Sequence, residues 1–349
     1  MKVLILFGGV STEHEVSCVS ASNVCKNIDK EKFEYIKLGI TKKGVWWVYN
    51  GSEDKMADGS WEFDTENLVP AIVSPCSAHH GIMVLNKPTK TYEIVHIDVA
   101  FPVLHGKNGE DGTMQGLLKL AGIPCVGCDT YASAVSMHKC AAKIIAETVG
   151  VKTTPFVRVR KCDRATASEK VKGLCYPLFV KPVNGGSSVG ITKVKEPSSL
   201  EAALDTAFET DDIVIIEQGV VGKEIEVAVL GKDEVLASVC GEIVAGAEFY
   251  DYENKYKDDT AEYYIPARLD ERTSEIVRKN AVEVYKALDC KGFSRVDFFV
   301  TENGEVLFNE INTIPGFTAI SMYPKLMGEC GIPYSELITR LIEAEADKV

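Results

Sequence analysis

The residues best placed to do chemistry lie in 292–316, GFSRVDFFVTENGEVLFNEINTIPG. Two apolar, β-rich runs, 295–300 and 306–312, flank a Thr301-Glu-Asn-Gly-Glu turn in which Gly304 is free to take φ > 0. Asp297, Glu310 and Asn312 interrupt these runs. An unpaired buried carboxylate is very costly, so each needs partners. Glu310 and Asn312 are two apart and share a strand face, which Asp297 on the neighbouring strand can join. Three hard oxygen ligands on one sheet face suit Mg²⁺ beside nucleotide phosphates. The plainer alternative, an acidic strand edge in solvent, is disfavoured by the apolar flanks.

Those strands need a scaffold, and the chain opens on one. Residues 2–7 are continuously apolar, as in a buried parallel strand. Gly8-Gly9-Val10-Ser11-Thr12-Glu13-His14-Glu15 and a helical pattern over 16–27 follow. A Gly-rich loop at a helix start often cradles phosphate. This one lacks G-x-G-x-x-G spacing and carries Glu13 and Glu15, which repel phosphate and attract an amine. Glu15 reads as an acid favouring the positive helix end. Strands are expected over 32–40 and 44–49, and an insertion or flap of small strands over 51–90. One strand over 94–104 should contain Asp98. His105-Gly-Lys-Asn-Gly-Glu-Asp-Gly-Thr then sits at a strand's carboxyl end, where open α/β sheets bind ligands, with a helix behind it over 114–121. His105 reads equally as a ligand-facing or a packed loop residue. A short edge strand over 123–128 and one helix over 132–148, containing Lys139, complete this part.

Lys181 ends an apolar strand over 176–182. Val183-Asn-Gly-Gly-Ser-Ser-Val-Gly190 then offers backbone N–H groups and the hydroxyls of Ser187 and Ser188 to triphosphate oxygens, with Lys181 as a point charge. No Lys-Ser/Thr follows the last glycine, so this is not a Walker A loop; a flexible hairpin tip is the alternative. Strands are expected over 155–160 and 212–217 and from 223 onward, with helices over 198–208, 274–288 and 334–346. Residues 247–264 include Phe249-Tyr-Asp-Tyr-Glu-Asn-Lys255-Tyr256 and are aromatic and charged but poor in aliphatic residues, the make-up of a lid rather than of core.

A length of 349 residues bounds two or three domains with ample core. A net charge of −13 without a Lys/Arg block argues against nucleic acid or an anionic membrane as partner. Eleven scattered cysteines read as the reduced thiols of a cytosolic protein, and Cys125-Val-Gly-Cys128 lacks the second pair that zinc requires. The opening MKVLILFGGV is too short an apolar run for a signal peptide, and no run approaches a membrane span.

Five motifs in order, GGVSTEHEVS, HGKNGEDG, GGSSVG, YDYENKY and RVD…NEINTIPG, resemble those of the D-alanine–D-alanine ligases and their vancomycin-resistance D-alanine–D-serine relatives, across nearly the whole chain. The resemblance implies an α/β (α+β) ATP-grasp fold of three domains. These are an N-terminal parallel-sheet substrate domain (1–125), a central lid domain (126–215) and a C-terminal catalytic domain (216–349), with ATP between the last two. It implies two Mg²⁺ ions, with Mn²⁺ as a substitute, on Asp297, Glu310 and Asn312. Lys139, Lys181 and Lys255 would hold phosphates, with Ser187 and Ser188. Glu217 would meet the adenine edge and Glu224 the ribose, Phe249 and Asn309 completing the ATP site. Glu13 and His105 would take the first D-alanine by its amino and carboxylate groups, Ser321 and Met322 the second. Arg295 and the Gly316 N–H would stabilise an oxyanion, and Tyr256, linked to Ser187 and Glu13, would close the site. D-lactate users carry His in place of Tyr256, and D-serine users tend to carry Arg in place of Met322. The departures are Gly219, where the relatives often have an aromatic residue, and Ala319-Ile320, where they have Ser-His. The activity implied is ATP-dependent ligation of two D-alanines through an acyl phosphate, for peptidoglycan precursors, by a cytoplasmic homodimer. Ligation of D-alanine to D-serine is the alternative.

Overall fold

The computed structural model describes residues 1–186, 189–244, 262–318 and 320–346. Their strands fall into three sheets. The first contains β1 (Lys2–Gly8), β2 (Glu34–Ile40), β3 (Trp46–Tyr49), β4 (Leu68–Val73), β5 (Gly81–Asn86), β6 (Thr91–His96) and β7 (Val99–Pro102), in the order β6-β5-β4-β3-β2-β1-β7. The apolar β1, next to last in this order, is buried and runs parallel to both neighbours, as a strand covered on both faces requires. The expected parallel sheet is confined to that end, β2-β1-β7. From β2 to β6 every pairing is antiparallel. Only helical turns of five residues or fewer intervene there, too short for a parallel crossover. Trp61, fully buried, anchors the 51–90 stretch, its ring 4.7 Å from that of Phe7 and 6.0 Å from that of Tyr49.

Three expected elements are divided or reduced. The strand over 94–104 is two, β6 and β7, because Asp98 leaves the ladder and its Oδ2 accepts the Lys2 N–H at 2.6 Å. The edge strand over 123–128 is a single parallel bridge from Cys125 to Ala100. The helix over 132–148 is two, Thr130–Met137 and Lys139–Thr148. His138, at φ −80° and ψ 90°, leaves helical geometry, and its Nδ1 accepts the Ala141 N–H at 3.1 Å as an N-cap. The break puts Lys139 at a helix start, where its own N–H donates to Val183 O.

The second sheet has β8 (Phe156–Arg160), β9 (Leu178–Pro182), β10 (Thr192–Val194) and β11 (Ile213–Gln218) in the order β10-β9-β11-β8, covered by the Leu200–Phe208 helix. The third has β12 (Gly222–Gly231), β13 (Val235–Ala237), β14 (Gly241–Val244), β15 (Glu262–Tyr264), β16 (Gly292–Thr301) and β17 (Val306–Asn312). Its order is β15-β14-β12-β16-β17, with β13 on β12. The Glu271–Ala287 helix packs on one face. On the other, residues of the Met322–Glu329 and Tyr334–Ala346 helices share one core with β1 and β7 of the first sheet. Phe293 joins them, edge-on to Phe101 at 6.0 Å and to Phe317 at 5.4 Å. Beside it Gly127 and Gly292, both at positive φ, meet backbone to backbone: a Cβ on Gly292 would lie 2.8 Å from Gly127 Cα. This close approach fixes the first sheet's loops against β16 and β17. Among the described residues no helix is long and apolar enough to cross a membrane.

Candidate active site

β16 and β17 form the expected hairpin. Asp297 stands opposite Glu310, and Arg295 opposite Asn312. All four therefore share one face. A fifth residue joins them that the sequence reading missed: Glu226 of β12 stands opposite Asp297 on its other side. Glu226, Asp297 and Glu310 thus cross three strands in one row. Arg295 lies against two of these acids. Its Nε and Nη2 donate to Asp297 Oδ1 and Oδ2 at 2.8 and 2.7 Å, and Nε is 3.1 Å from Glu226 Oε2. Asn312 Nδ2 donates to Asp297 Oδ2 at 3.0 Å. Lys139 Nζ is 3.0 Å from Glu310 Oε2 and donates to Gly185 O at 2.8 Å. Two carboxylates and the Asn312 amide, rather than three acids, make the hard-oxygen set a divalent cation would use. The set fits Mg²⁺ or Mn²⁺, since its acids already draw cationic groups.

The second charged cluster centres on Glu217, at the end of β11. Lys181 Nζ of β9 is 2.6 Å from its Oε2. Lys143 Nζ is 2.8 Å from its Oε1. Thr154 Oγ1 accepts from Lys143 at 2.7 Å and donates to Glu217 Oε1 at 3.1 Å, and Lys143 also donates to Phe308 O at 3.1 Å. Burial alone would raise the Glu217 carboxyl, but the two ammonium groups outweigh it and hold it at about 2. Burial pulls the Lys143 amine down from its ordinary range, with nearby Lys181 adding to that pull and Glu217 opposing it. For Lys181, burial is outweighed by Glu217, and the amine is raised. The sequence reading missed Lys143. Its signal is a lysine four residues after Lys139, on the same face of a helix with apolar neighbours.

A cavity of about 370 Å³ joins the clusters, lined among others by Glu13, Lys139, Lys181, Glu217, Arg295 and Glu310. Its size is that of a ligand site. Glu224, Asn309, His105 and Gly316 also border it. Glu13 takes the N-cap position of the first helix without a side-chain capping bond, and it lines the cavity. Gly106 and Gly186 close on it from two other loops, and a Cβ on Gly186 would lie 2.5 Å from Glu13 Oε2.

His105 Nδ1 is 2.9 Å from Ile314 O, and its Nε2 is 3.0 Å from Ser20 Oγ. A carbonyl only accepts, so Nδ1 carries the proton. Ser20 Oγ accepts the Phe317 N–H at 3.3 Å, which leaves its hydroxyl hydrogen for Nε2. Burial lowers the imidazole from its ordinary value, consistent with this neutral form. Glu110, also missed from sequence, accepts the Ile314 N–H at 3.0 Å and the Gly106 N–H at 2.8 Å. Burial and Glu13 push its carboxyl up to about 8. His105 and Glu110 therefore clamp both polar groups of the Ile314 backbone and fasten the chain after Asn312 to the first sheet.

Two expected residues stand apart from the cavity. Ser321 Oγ accepts the Thr318 N–H at 3.0 Å and packs against Gly316. Met322 is buried in the shared core against Gly241. Ser187, Ser188, Phe249, Lys255, Tyr256 and Ala319 lie outside the described residues.

Comparison with known proteins bears on the same residues. The family described as D-ala D-ala ligase N-terminus matches residues 2–128, and that described as D-ala D-ala ligase C-terminus matches residues 145–343. The chain is 47% identical to the D-alanine–D-alanine ligase of Caldicellulosiruptor bescii, over 100% of this chain and 96% of that one. It is likewise 47% identical to that of Acetivibrio thermocellus, over 98% and 95%. Among solved structures it resembles the VanG D-Ala:D-Ser ligase from Enterococcus faecalis with a TM-score of 0.90 at 45% identity, covering 98% of each chain. The D-alanine-D-alanine ligase from Coxiella burnetii follows at 0.85 and 32%, covering 100% of this chain and 96% of that one. The three sheets are thus those of an ATP-grasp ligase, and the chain belongs to the D-alanine–D-alanine ligase family.

Proposed function

We propose that this protein joins two D-alanines to D-alanyl-D-alanine, with ATP converted to ADP and phosphate, in the synthesis of peptidoglycan precursors. The observation that carries this reading is one cavity lined by an amine-seeking acid, Glu13, two lysines, Lys139 and Lys181, and Arg295, Glu310 and Asn312, with Asp297 held behind them by Arg295 on the same strand face.

The carboxylate of the first D-alanine attacks the γ-phosphate and gives an acyl phosphate. Two anions must meet, so positive charge has to surround them. Lys139 and Lys181 leave their acids for phosphate oxygens, aided by Ser187, Ser188 and Lys255. Asp297, Glu310 and Asn312 would hold Mg²⁺ or Mn²⁺, which when bound neutralises phosphate charge. Glu217 faces the adenine edge, Glu224 the ribose, and Phe249 and Asn309 complete the nucleotide site. Glu13 holds the first D-alanine's ammonium, and His105 fixes the loop beside its carboxylate. The second D-alanine, oriented by Ser321 near Met322, attacks the acyl carbon through its free amine. Arg295 and the Gly316 N–H receive the oxyanion before phosphate departs. Closure by Tyr256 over Ser187 and Glu13 excludes water, which would hydrolyse the acyl phosphate.

The same reading divides the chain into domains at 1–125, 126–215 and 216–349, the last boundary falling within β11 (Ile213–Gln218), and makes it a cytoplasmic homodimer. A second reading, ligation of D-alanine to D-serine, draws on the likeness to the VanG enzyme. The test is ADP formation in a coupled assay with ATP, Mg²⁺ and D-alanine alone. Turnover that saturates in D-alanine is expected, and none under these conditions would overturn the main reading.

A further inference from the structure

Of the two lysines on Glu217, only one faces the cavity. Lys181 lines it, with its side chain 15% exposed. Lys143 does not line it, and its side chain is 1% exposed. Lys143 is also tied on three sides, to Glu217, Thr154 and Phe308 O, which uses all three ammonium hydrogens. Lys181 has the freedom to turn toward a ligand, and Lys143 does not. If Lys181 left Glu217 with no second cation behind it, a buried carboxylate would remain uncompensated, so Lys181 would be trapped.

We propose that Lys143 is the fixed counter-charge of Glu217, the positioning residue that lets Lys181 exchange that carboxylate for a nucleotide phosphate. Thr154 assists, because its hydroxyl accepts from Lys143 and donates to Glu217, holding Oε1 in place while Oε2 is released. Lys143 touches neither nucleotide nor amino acid. Its effect reaches the reaction through Lys181 and the orientation of Glu217. This rests on the ATP-dependent ligase reading and deepens it at the nucleotide site.

The test uses the full chain and titrates ATP with Mg²⁺ in the absence of D-alanine, for Lys143→Met, Glu217→Gln and the double variant. Lys143→Met is expected to weaken ATP binding at least tenfold and to raise KM for ATP by a similar factor, with KM for D-alanine within twofold. Adding Glu217→Gln should recover much of the loss, since a neutral amide no longer traps Lys181. A merely structural lysine predicts the reverse, a double variant weaker than either single one. If Lys143→Met fails to fold, the double variant, with neither buried charge, is expected to fold and to bind ATP within threefold of Glu217→Gln alone. Unchanged ATP affinity in a folded Lys143→Met, or a double variant with additive losses, would overturn the proposal. A wild-type protein that binds ATP but forms no dipeptide would overturn the ligase reading and leave the Lys143 comparison intact.

Discussion

Arg295 holds Asp297 through two hydrogen bonds, 2.8 Å from Nε and 2.7 Å from Nη2. The group proposed to meet an oxyanion thus occupies the carboxylate proposed to meet a metal. Lys139 repeats the pattern on Glu310, and Lys181 on Glu217. On the proposed reading, each of these pairs opens as ATP and its metal enter.

It follows that metal and nucleotide assist one another. Mg²⁺ alone would have to displace Lys139 from Glu310 with no phosphate to receive it. With ATP present, Lys139 gains a phosphate partner and leaves Glu310 to the metal. Titration of Mg²⁺ is expected to show at least tenfold tighter binding in the presence of a non-hydrolysable ATP analogue. Equal affinity with and without the analogue would show that the ion pairs present no barrier.

Arg295→Ala removes an oxyanion donor. Losing one such donor costs about 3 kcal/mol in the barrier, a 10²–10³-fold fall in kcat. ATP affinity is expected to stay within threefold, since Arg295 is not among the phosphate lysines. Steady-state kinetics with a separate nucleotide titration check both parts, and near-normal turnover would remove Arg295 from the mechanism.

Glu226 holds Arg295 from the side opposite the hairpin, its Oε2 3.1 Å from Nε. Glu226→Gln keeps the shape and removes the charge. With one acid fewer, Arg295 leans more heavily on Asp297 and is slower to leave it. kcat is expected to fall about tenfold, equivalent to ~1.4 kcal/mol, with KM for ATP little changed. A variant as fast as wild type would make Glu226 a packing residue.

Glu217 gives a pH-dependent stability. Its carboxyl in the folded protein stands at about 2, below the ordinary 4.5. A lowered carboxyl pKa stabilises the fold fully above 4.5, and that stability is lost as pH falls toward 2. Thermal unfolding of wild type and Glu217→Gln should differ most at neutral pH, and the gap should shrink as pH falls below 4.5 and close only as it approaches about 2. A gap that stays constant from pH 7 to pH 3 would contradict the buried ion pairs.

Much of this site was legible in the sequence, for a physical reason. Asp297, Glu310 and Asn312 are polar intruders in apolar strands, and alternation puts them on one face; the register bears this out. The glycine loops announced the strand ends that meet at Glu13. Glu226 was not legible. In Lys223-Glu224-Ile225-Glu226 the alternation looks like an ordinary solvent face, and only pairing with β16 buries it at 7% exposure. Lys143 sits in a helix whose charge pattern reads as surface, and only packing against β17 encloses it. The helix break at His138 carries no Gly or Pro, because the cap is a side chain. His105 was open between ligand and loop roles, and its two bonds to Ile314 and Ser20 give it at least the second.

The most direct test of the central claim is a product analysis. The protein would be incubated with ATP, Mg²⁺ and equal concentrations of D-alanine, D-serine and D-lactate at neutral pH, with products resolved by mass and phosphate counted alongside. D-alanyl-D-alanine as the main product, with one phosphate released per dipeptide, is the predicted result. D-alanyl-D-serine in the majority would move the chain to the D-serine branch, and phosphate release without any D-alanyl product would contradict the account.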